Sequence, residues 1–176
     1  ISHDWLLNNV PMDKEILRKW LKCGFVFKGE VFPTEEGTPQ GGIISPTLAN
    51  IALNGIEKAL SGFKQTTRNG VAYNPKVSLI RYADDFIITG ASKEILENEV
   101  KPILVEFFQE RGLELSEEKT VITHVSEGFD FLGFNVRKYN GTLLTKPSKK
   151  SVKKLTEKVK VLLKSHRAVK QEEILM

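Results

Sequence analysis

The 176-residue sequence predicts an α+β fold. Segments with apolar residues at helical spacing alternate with short runs rich in β-branched and aromatic residues, and turn signals join these runs. No internal repeat or low-complexity tract interrupts the pattern. Because 40% of the residues are hydrophobic, the chain has enough apolar side chains for the core of one compact domain.

The N-terminal segment predicts a helix followed by a hairpin. Gly24 is expected to end the helix, and the hairpin is expected to turn at Lys28 and Gly29. The apolar stripe of this helix consists of Ile16, Leu17, Trp20 and Leu21.

A glycine-bearing loop, residues 37–45 with the sequence GTPQGGIIS, precedes the next predicted helix. Ser45 suits the N-cap of that helix and Pro46 its first position. The loop has neither the Gly-Lys-Ser/Thr ending of a P-loop nor the pattern G-x-G-x-x-G. Alone, such a loop is more often plain turn chemistry than a ligand cradle, although its glycines let a bulky ligand approach the backbone.

Two aspartates stand where a tight hairpin is expected to turn. Residues 77–82 and 86–89 are predicted as strands, and Ala83, Asp84 and Asp85 lie between them without a glycine. The favoured two-residue turns need positive φ, so turn chemistry alone does not ask for this pair. An Asp pair in a turn is most often a solvated loop. The sharper hypothesis is a site for a hard cation such as Mg²⁺, which takes oxygen ligands.

A second long helix is predicted after this hairpin. Ser92 is expected to cap it, Gly112 to end it, and Pro102 to kink it or split it in two. Short strands are expected next, at residues 120–124 and 129–137.

The chain closes with a turn at residues 140–141 and a basic amphipathic helix. Of the 26 Lys and Arg residues, 12 lie between positions 137 and 170, together with one of the 22 acidic residues. A basic run is usually a solvated helix face, but sorting this strong favours a polyanionic partner, above all nucleic acid. The apolar stripe of the helix consists of Val152, Leu155, Val159, Leu162 and Leu163.

Membrane insertion and disulfide formation are not expected. No apolar run is long enough to span a bilayer, and no signal-peptide pattern opens the chain. The single cysteine, Cys23, excludes an internal disulfide and fits a reducing compartment. A cytoplasmic protein of bacterial type, associated with nucleic acid, is therefore expected. The three histidines lack the spacing of metal ligands.

Four blocks of the sequence together resemble reverse transcriptases, most closely the intron-encoded group II reverse transcriptase/maturases. These blocks are GTPQGGIISPTLANIAL, RYADDFIITG, GLELSEEKT and FDFLGFNV, in the order and spacing of that family. The resemblance implies that residues 1–146 form a polymerase palm, an α+β fold with an antiparallel ferredoxin-like sheet backed by helices. It implies that residues 147–176, with the basic helix, begin the thumb.

The resemblance also implies a role for each motif. Asp84 and Asp85 would be the catalytic metal ligands for two Mg²⁺ ions, with Mn²⁺ as an alternative. Asp85 would play a supporting part, because neighbouring side chains of a strand face opposite ways. Contacts to the nucleotide and template would come from Pro39, Gln40, Gly41, Tyr82, Ala83 and Lys119.

The C-terminal motifs would contact the nucleic acid. The implied partners are an RNA template, a DNA primer, a dNTP and, in the parent protein, intron RNA. The primer grip would consist of Phe131, Leu132 and Gly133. Contacts to the nucleic-acid backbone would come from Lys149, Lys150, Lys153 and Lys154.

One part of the family pattern is missing from the sequence. The family takes another aspartate from an earlier strand, whereas ISHDWLL at the start fits only the tail of that block, and Asp4 does not inherit the role. The sequence is therefore expected to be a fragment without fingers and with little of the thumb, inactive on its own. Its unpaired sheet edge could pair with a second copy.

Two alternatives remain open. The palm could serve as a non-catalytic RNA-binding scaffold, as in the spliceosomal protein that resembles these enzymes. The intact run from Tyr82 to Asp85 argues against a scaffold, which does not need adjacent carboxylates. Within the enzyme class, the chain could come from a retron, a diversity-generating element or a CRISPR-linked reverse transcriptase, although SPTLANIAL and FLGF favour the group II type.

Overall fold

The computed structural model describes residues 1–34, 37–38, 42–64, 66–68 and 71–165. Within these residues helices alternate with antiparallel strands, so the predicted α+β class is confirmed. The chain divides into two compact units, Ile1–Ile122 and Thr123–Met176. No helix among the described residues is both long and apolar enough to cross a membrane.

The first unit begins with two short helices and a hairpin. These elements are α1 (His3–Asn9), α2 (Lys14–Leu21), β1 (Phe25–Phe27) and β2 (Glu30–Phe32). The hairpin turns where predicted, because Lys28 and Gly29 both take positive φ, 51° and 86°. Gly24, also at positive φ (74°), follows α2 as the predicted stop.

Half of the predicted stripe of α2 enters the core. Leu17 and Leu21 are buried together with Leu6 of α1. Ile16 and Trp20, on the same predicted stripe, remain 47% and 43% exposed. The helical period is therefore correct, but the buried face of α2 is narrower than its apolar face.

Helix α3 (Ser45–Leu53) connects two apolar clusters. Leu48 packs in the N-terminal cluster with α1 and α2, and Leu53 belongs to the larger cluster that follows. Proline lies in the first turn, as predicted. The N-cap is Ile44 rather than Ser45, because the helix already begins at Ser45, and no side chain caps it. The predicted cap is therefore wrong by one residue.

The chain then forms the predicted aspartate hairpin. A short helix, a 3₁₀ turn and a small hairpin come first, as α4 (Ile56–Ala59), Ser61–Lys64, β3 (Thr66–Arg68) and β4 (Val71–Tyr73). The aspartate hairpin consists of β5 (Ser78–Tyr82) and β6 (Asp85–Thr89).

The long helical segment that follows contains a π-helical turn before its proline. It comprises α5 (Lys93–Ile95), a π-helical turn (Leu96–Val100) and α6 (Lys101–Gln109). Pro102 lies in the first turn of α6, directly after the π turn. The helix is not split there, because Leu96, Val100 and Lys101 all keep helical φ and ψ, and the π turn widens one continuous helix.

The larger apolar cluster lies beneath the aspartate hairpin. Leu79, Phe86 and Ile88 of the hairpin pack against it, and the rings of Phe86 and Phe108 lie 5.9 Å apart. Its buried members are Leu53, Ile56, Leu60, Phe63, Ile95, Val100, Leu104, Phe107 and Phe108. One face of the hairpin is thus anchored to α4 and α6.

The second unit is a three-stranded antiparallel sheet followed by a helix. Its elements are β7 (Phe129–Phe131), β8 (Phe134–Tyr139), β9 (Thr142–Pro147) and α7 (Lys149–Ser165). The strand predicted at 129–137 is instead a hairpin, because Leu132 and Gly133 take positive φ (49° and 83°) and reverse the chain. The predicted turn at 140–141 is confirmed, with φ of 45° and 88°.

One further expectation differs from the structure. Residues 120–124 form no strand; the Thr120 N–H instead donates to the Ser116 carbonyl (2.9 Å), and β-branched residues alone do not make a strand without a partner. The antiparallel strands of the described residues pair in four separate sheets, three of two strands and one of three. The sequence boundary between the compact units is at 122/123. The palm–thumb boundary expected at 146/147 stays a prediction.

Candidate active site

The β5–β6 hairpin turns at Ala83 and Asp84. Five cross-strand pairs run from Ser78 with Thr89 to Tyr82 with Asp85, so two residues remain for the turn. Ala83 has a φ of 54°. This left-handed region costs a residue with a side chain about 1–2 kcal/mol. Such strain persists only where the surroundings fix it, and it clusters at functional sites.

Both carboxylates of the aspartate pair are open to solvent. Asp84 and Asp85 are exposed, and neither side chain has a hydrogen-bond or ion-pair partner among the described residues. Tyr82, directly opposite Asp85, is 66% exposed. The predicted position of the pair at an open hairpin tip is therefore confirmed, and its oxygen atoms are free to accept a cation.

Arg81 ties this turn to helix α3. Its Nη1 donates to the Ala83 carbonyl (3.0 Å) and to Oδ1 of Asn50 (3.0 Å). Its Nη2 donates to Oδ1 of Asn54 (3.2 Å). One guanidinium thus joins the backbone of the turn to two side chains at the end of α3.

The glycine-bearing loop is fixed at its first residue. The Gly37 N–H donates to the Ile1 carbonyl (2.9 Å), and Nε2 of His3 donates to the Gly37 carbonyl (2.9 Å). Near the other end of the loop, the Ser45 N–H donates to the Gly42 carbonyl (3.1 Å). The predicted contacts Pro39, Gln40 and Gly41 lie outside the described residues.

Lys119 is the remaining predicted nucleotide contact. It lies in an exposed turn after α6, and no hydrogen bond or ion pair joins it to the described residues of the hairpin. The role of Lys119 therefore stays a prediction.

In the second unit, the predicted primer grip is tied to the start of the basic helix. The Gly133 carbonyl accepts from the Ser148 N–H (2.8 Å) and from Oγ of Ser151 (2.9 Å). A Cβ at Gly133 would lie 3.0 Å from that Oγ, so the position suits glycine. The lysines predicted to contact the nucleic-acid backbone lie in α7, and their side chains are exposed: Lys149, Lys150, Lys153 and Lys154.

The donor set of the aspartate pair fits a hard divalent cation. Carboxylate oxygens are the ligands that Mg²⁺ and Mn²⁺ prefer. Among the described residues, however, no group of three or more His, Cys, Asp or Glu side chains could hold a metal ion. Asp84 and Asp85 can therefore supply part of a coordination shell. Mg²⁺ usually completes such a shell with waters and substrate phosphates.

Comparison with known families decides what kind of protein carries this hairpin. The family model of reverse transcriptases (RNA-dependent DNA polymerases) matches residues 1–136, more than half of the chain and the whole aspartate hairpin. The chain belongs to the reverse transcriptase family.

Individual relatives agree with this assignment. The reverse transcriptase chain is 33% identical to Protein YkfC of Escherichia coli (strain K12), in an alignment of 143 positions that covers 67% of the chain and 37% of that protein. It is 27% identical to the group II intron-encoded protein LtrA of Lactococcus lactis subsp. cremoris, in an alignment of 209 positions that covers 89% of the chain and 35% of LtrA. The resemblance to group II intron reverse transcriptases is confirmed. The chain spans little more than a third of the length of these relatives.

Sequence reasoning missed Arg81, Asn50 and Asn54. A signal for Arg81 was present, because strand alternation places it on the same half-buried face as Leu79, whereas Ile80 takes the exposed face. A charged residue on an inward face needs a partner. Asn50 in α3 and Asn54 at its C-cap provide that partner.

Proposed function

We propose that this reverse transcriptase chain contains the palm of an RNA-directed DNA polymerase, in which Asp84 and Asp85 hold the catalytic metal ions. The observation that carries the proposal is the solvent-open aspartate pair at a hairpin tip, within a chain of this family. The exposed, unpartnered carboxylates support it, because a turn that served only the fold would not need two adjacent like charges.

Two divalent ions, Mg²⁺ or Mn²⁺, would stabilise the attacking 3′-oxygen and the leaving pyrophosphate in an in-line displacement at the α-phosphate. The chain contributes the position and the charge of the ligands. Asp84 lies in the turn and is proposed as the main ligand. Asp85 begins β6 on the exposed face of the hairpin, opposite Tyr82, and is proposed as the supporting ligand.

We assign residues 1–146 to the palm and residues 147–176 to the start of the thumb. The family match to residue 136 and the antiparallel hairpin packed on helices support a palm with a ferredoxin-like arrangement. The lysine-covered helix α7 supports the second assignment. The primer grip is proposed at Phe131, Leu132 and Gly133, next to the beginning of this helix.

The proposed partners are an RNA template, a DNA primer and an incoming dNTP, together with intron RNA, as the similarity to LtrA suggests. Exposed lysines attract phosphates whatever the base sequence. The lysines proposed for backbone contacts are Lys149, Lys150, Lys153 and Lys154. The nucleotide and template contacts are proposed at Pro39, Gln40, Gly41, Tyr82, Ala83 and Lys119.

Primer extension by the full-length protein on an RNA template with Mg²⁺ tests the proposal. Asp84→Asn keeps the shape of the side chain and removes its charge, and should slow extension by about 10²-fold or more, because a bound metal contributes several kcal/mol. Asp4→Asn, the same change at an exposed position of α1, is the control and should leave extension unchanged. Extension at the wild-type rate by Asp84→Asn would contradict the proposal, and no extension by the wild-type protein would favour the non-catalytic scaffold.

A further inference from the structure

We propose that Arg81 is a positioning residue for the aspartate pair, because its guanidinium fixes the turn at Ala83 and Asp84 to helix α3. This inference rests on the proposed function and deepens it. It assigns a third residue to the site and names the element against which the metal ligands are held.

The geometry of the bonds carries the inference. Arg81 reaches three oxygen atoms on two elements: the Ala83 carbonyl at 3.0 Å, Oδ1 of Asn50 at 3.0 Å and Oδ1 of Asn54 at 3.2 Å. Asn50 lies in α3 and Asn54 is the C-cap that ends it, so both acceptors belong to the same helix and its end. The rigid fork of a guanidinium matches this spacing, whereas a lysine ammonium presents a single point.

The acceptors of Arg81 are all neutral oxygens. No ion pair involves Arg81 among the described residues. The guanidinium therefore does not occupy the carboxylates of Asp84 and Asp85. It binds the backbone carbonyl of Ala83, just before Asp84, and leaves the carboxylate oxygens of the aspartate pair open for a cation.

Helix α3 is a suitable anchor. Leu48, Ala52 and Leu53 are buried on its inner face, with 1%, 0% and 8% of their surface exposed. Since Leu48 and Leu53 belong to different clusters, the helix is fixed at both ends. The hydrogen bonds from Arg81 to Asn50 and Asn54 therefore hold the end of β5 against this helix.

The turn itself has little else to hold it. Tyr82, Ala83, Asp84 and Asp85 are all exposed, so apolar packing does not restrain them. Ala83 keeps a φ of 54° without being glycine. The hydrogen bond from Arg81 to the Ala83 carbonyl restrains this peptide group, and its loss should let the turn relax.

Substitutions at Arg81 in the full-length protein test the inference. Arg81→Lys keeps the charge and loses the fork, and Arg81→Met keeps the stem and loses every donor. Both should lower kcat by about tenfold to a hundredfold, since a displacement of about 1 Å can cost that much, with little change in KM for the dNTP. Lys93→Gln, which removes one charge from an exposed helix residue of the same unit, is the control and should behave as wild type.

Hydrogen exchange of the peptide covering residues 79–86 gives a readout that does not depend on activity. Both Arg81 variants should exchange faster there than wild type and Lys93→Gln. Leucine at both Asn50 and Asn54 should do the same. Aspartate at both positions keeps the acceptor oxygens and should preserve slow exchange.

The outcomes separate this inference from the proposed function. Wild-type kcat and wild-type exchange in Arg81→Lys would overturn the positioning role, whatever Asp84→Asn does. Active Asp84→Asn would refute the proposed function, and faster exchange in the Arg81 variants would still support the restraint. If the Arg81 variants unfold, the leucine and aspartate variants of the two asparagines decide by the same exchange measurement.

Discussion

The two compact units hold their candidate functional residues in opposite ways. In the first unit, one face of the aspartate hairpin packs on nine buried apolar residues, and Arg81 fixes the turn from the side. In the second unit, Ser148 alone is buried among the described residues, and α7 has no buried residue. Its apolar stripe stays open, with Leu155 64% exposed.

This difference matches the chemistry proposed for each unit. Metal ligands must be held within about 0.5 Å of their working positions, which requires packing and supporting hydrogen bonds. Contacts between lysines and phosphates are electrostatic and need no such precision. The comparison therefore predicts that catalysis depends on the packed unit and that binding depends on the charge of the other.

The largest expected effect is a complete loss of primer extension without a loss of nucleic-acid binding. The 176-residue chain alone should extend no primer, because two metal ions need more carboxylate ligands than Asp84 and Asp85 supply. It should still bind an RNA–DNA hybrid through α7. Primer extension and titration of a labelled hybrid, with the full-length protein as reference, measure both. Template-dependent extension by the chain alone, abolished by Asp84→Ala, would show that the missing-ligand argument is wrong.

The next prediction compares the cores of the two units. Phe108→Ala should destabilise the chain by about 3–5 kcal/mol, because Phe108 is 4% exposed and supports Phe86 beneath the hairpin. Leu155→Ala, at an exposed position of α7, should change stability by no more than about 0.5 kcal/mol. Urea unfolding of the two variants measures the contrast. Equal losses would mean that the packing of the two units does not differ as described.

A smaller effect is expected from charge reversal on α7. Glutamate at Lys149, Lys150, Lys153 and Lys154 should weaken hybrid binding about equally for all sequences and reduce the salt slope of log K by up to about 3–4, at about 0.9 per phosphate contact. The control reverses four exposed lysines of the first unit and gives the same net charge: Lys14, Lys19, Lys22 and Lys58. Equal weakening by both sets would assign binding to net charge rather than to α7.

The smallest expected effect concerns the helix cap behind the hairpin. The Ser92 side chain, followed by the Glu94 amide, holds the pKa of Glu94 below its usual value. A lowered carboxyl pKa stabilises the fold above the unfolded pKa, and that contribution is lost as pH falls through the folded pKa. Ser92→Ala should raise the pKa of Glu94, as NMR titration would show. An unchanged pKa would assign the shift to other groups.

Local patterns predicted the hairpin and the turns, because strand alternation and turn chemistry act within a few residues. Tertiary effects escaped prediction. Leu132 takes positive φ inside what looked like one strand, and residues 120–124 have strand propensity but no partner. The Arg81 bonds join residues about 30 positions apart, beyond the reach of any periodicity.

The central claim is that Asp84 and Asp85 are metal ligands, and the most direct test locates the metal. The full-length protein would be crystallised with an RNA template, a primer lacking its 3′-hydroxyl, a dNTP and Mn²⁺, and the anomalous density would be measured. The account predicts an ion about 2.0–2.2 Å from an Asp84 carboxylate oxygen, close to the distances of small divalent ions, with Asp85 beside it. Ions bound to the nucleotide with Asp84 outside their shell would contradict it.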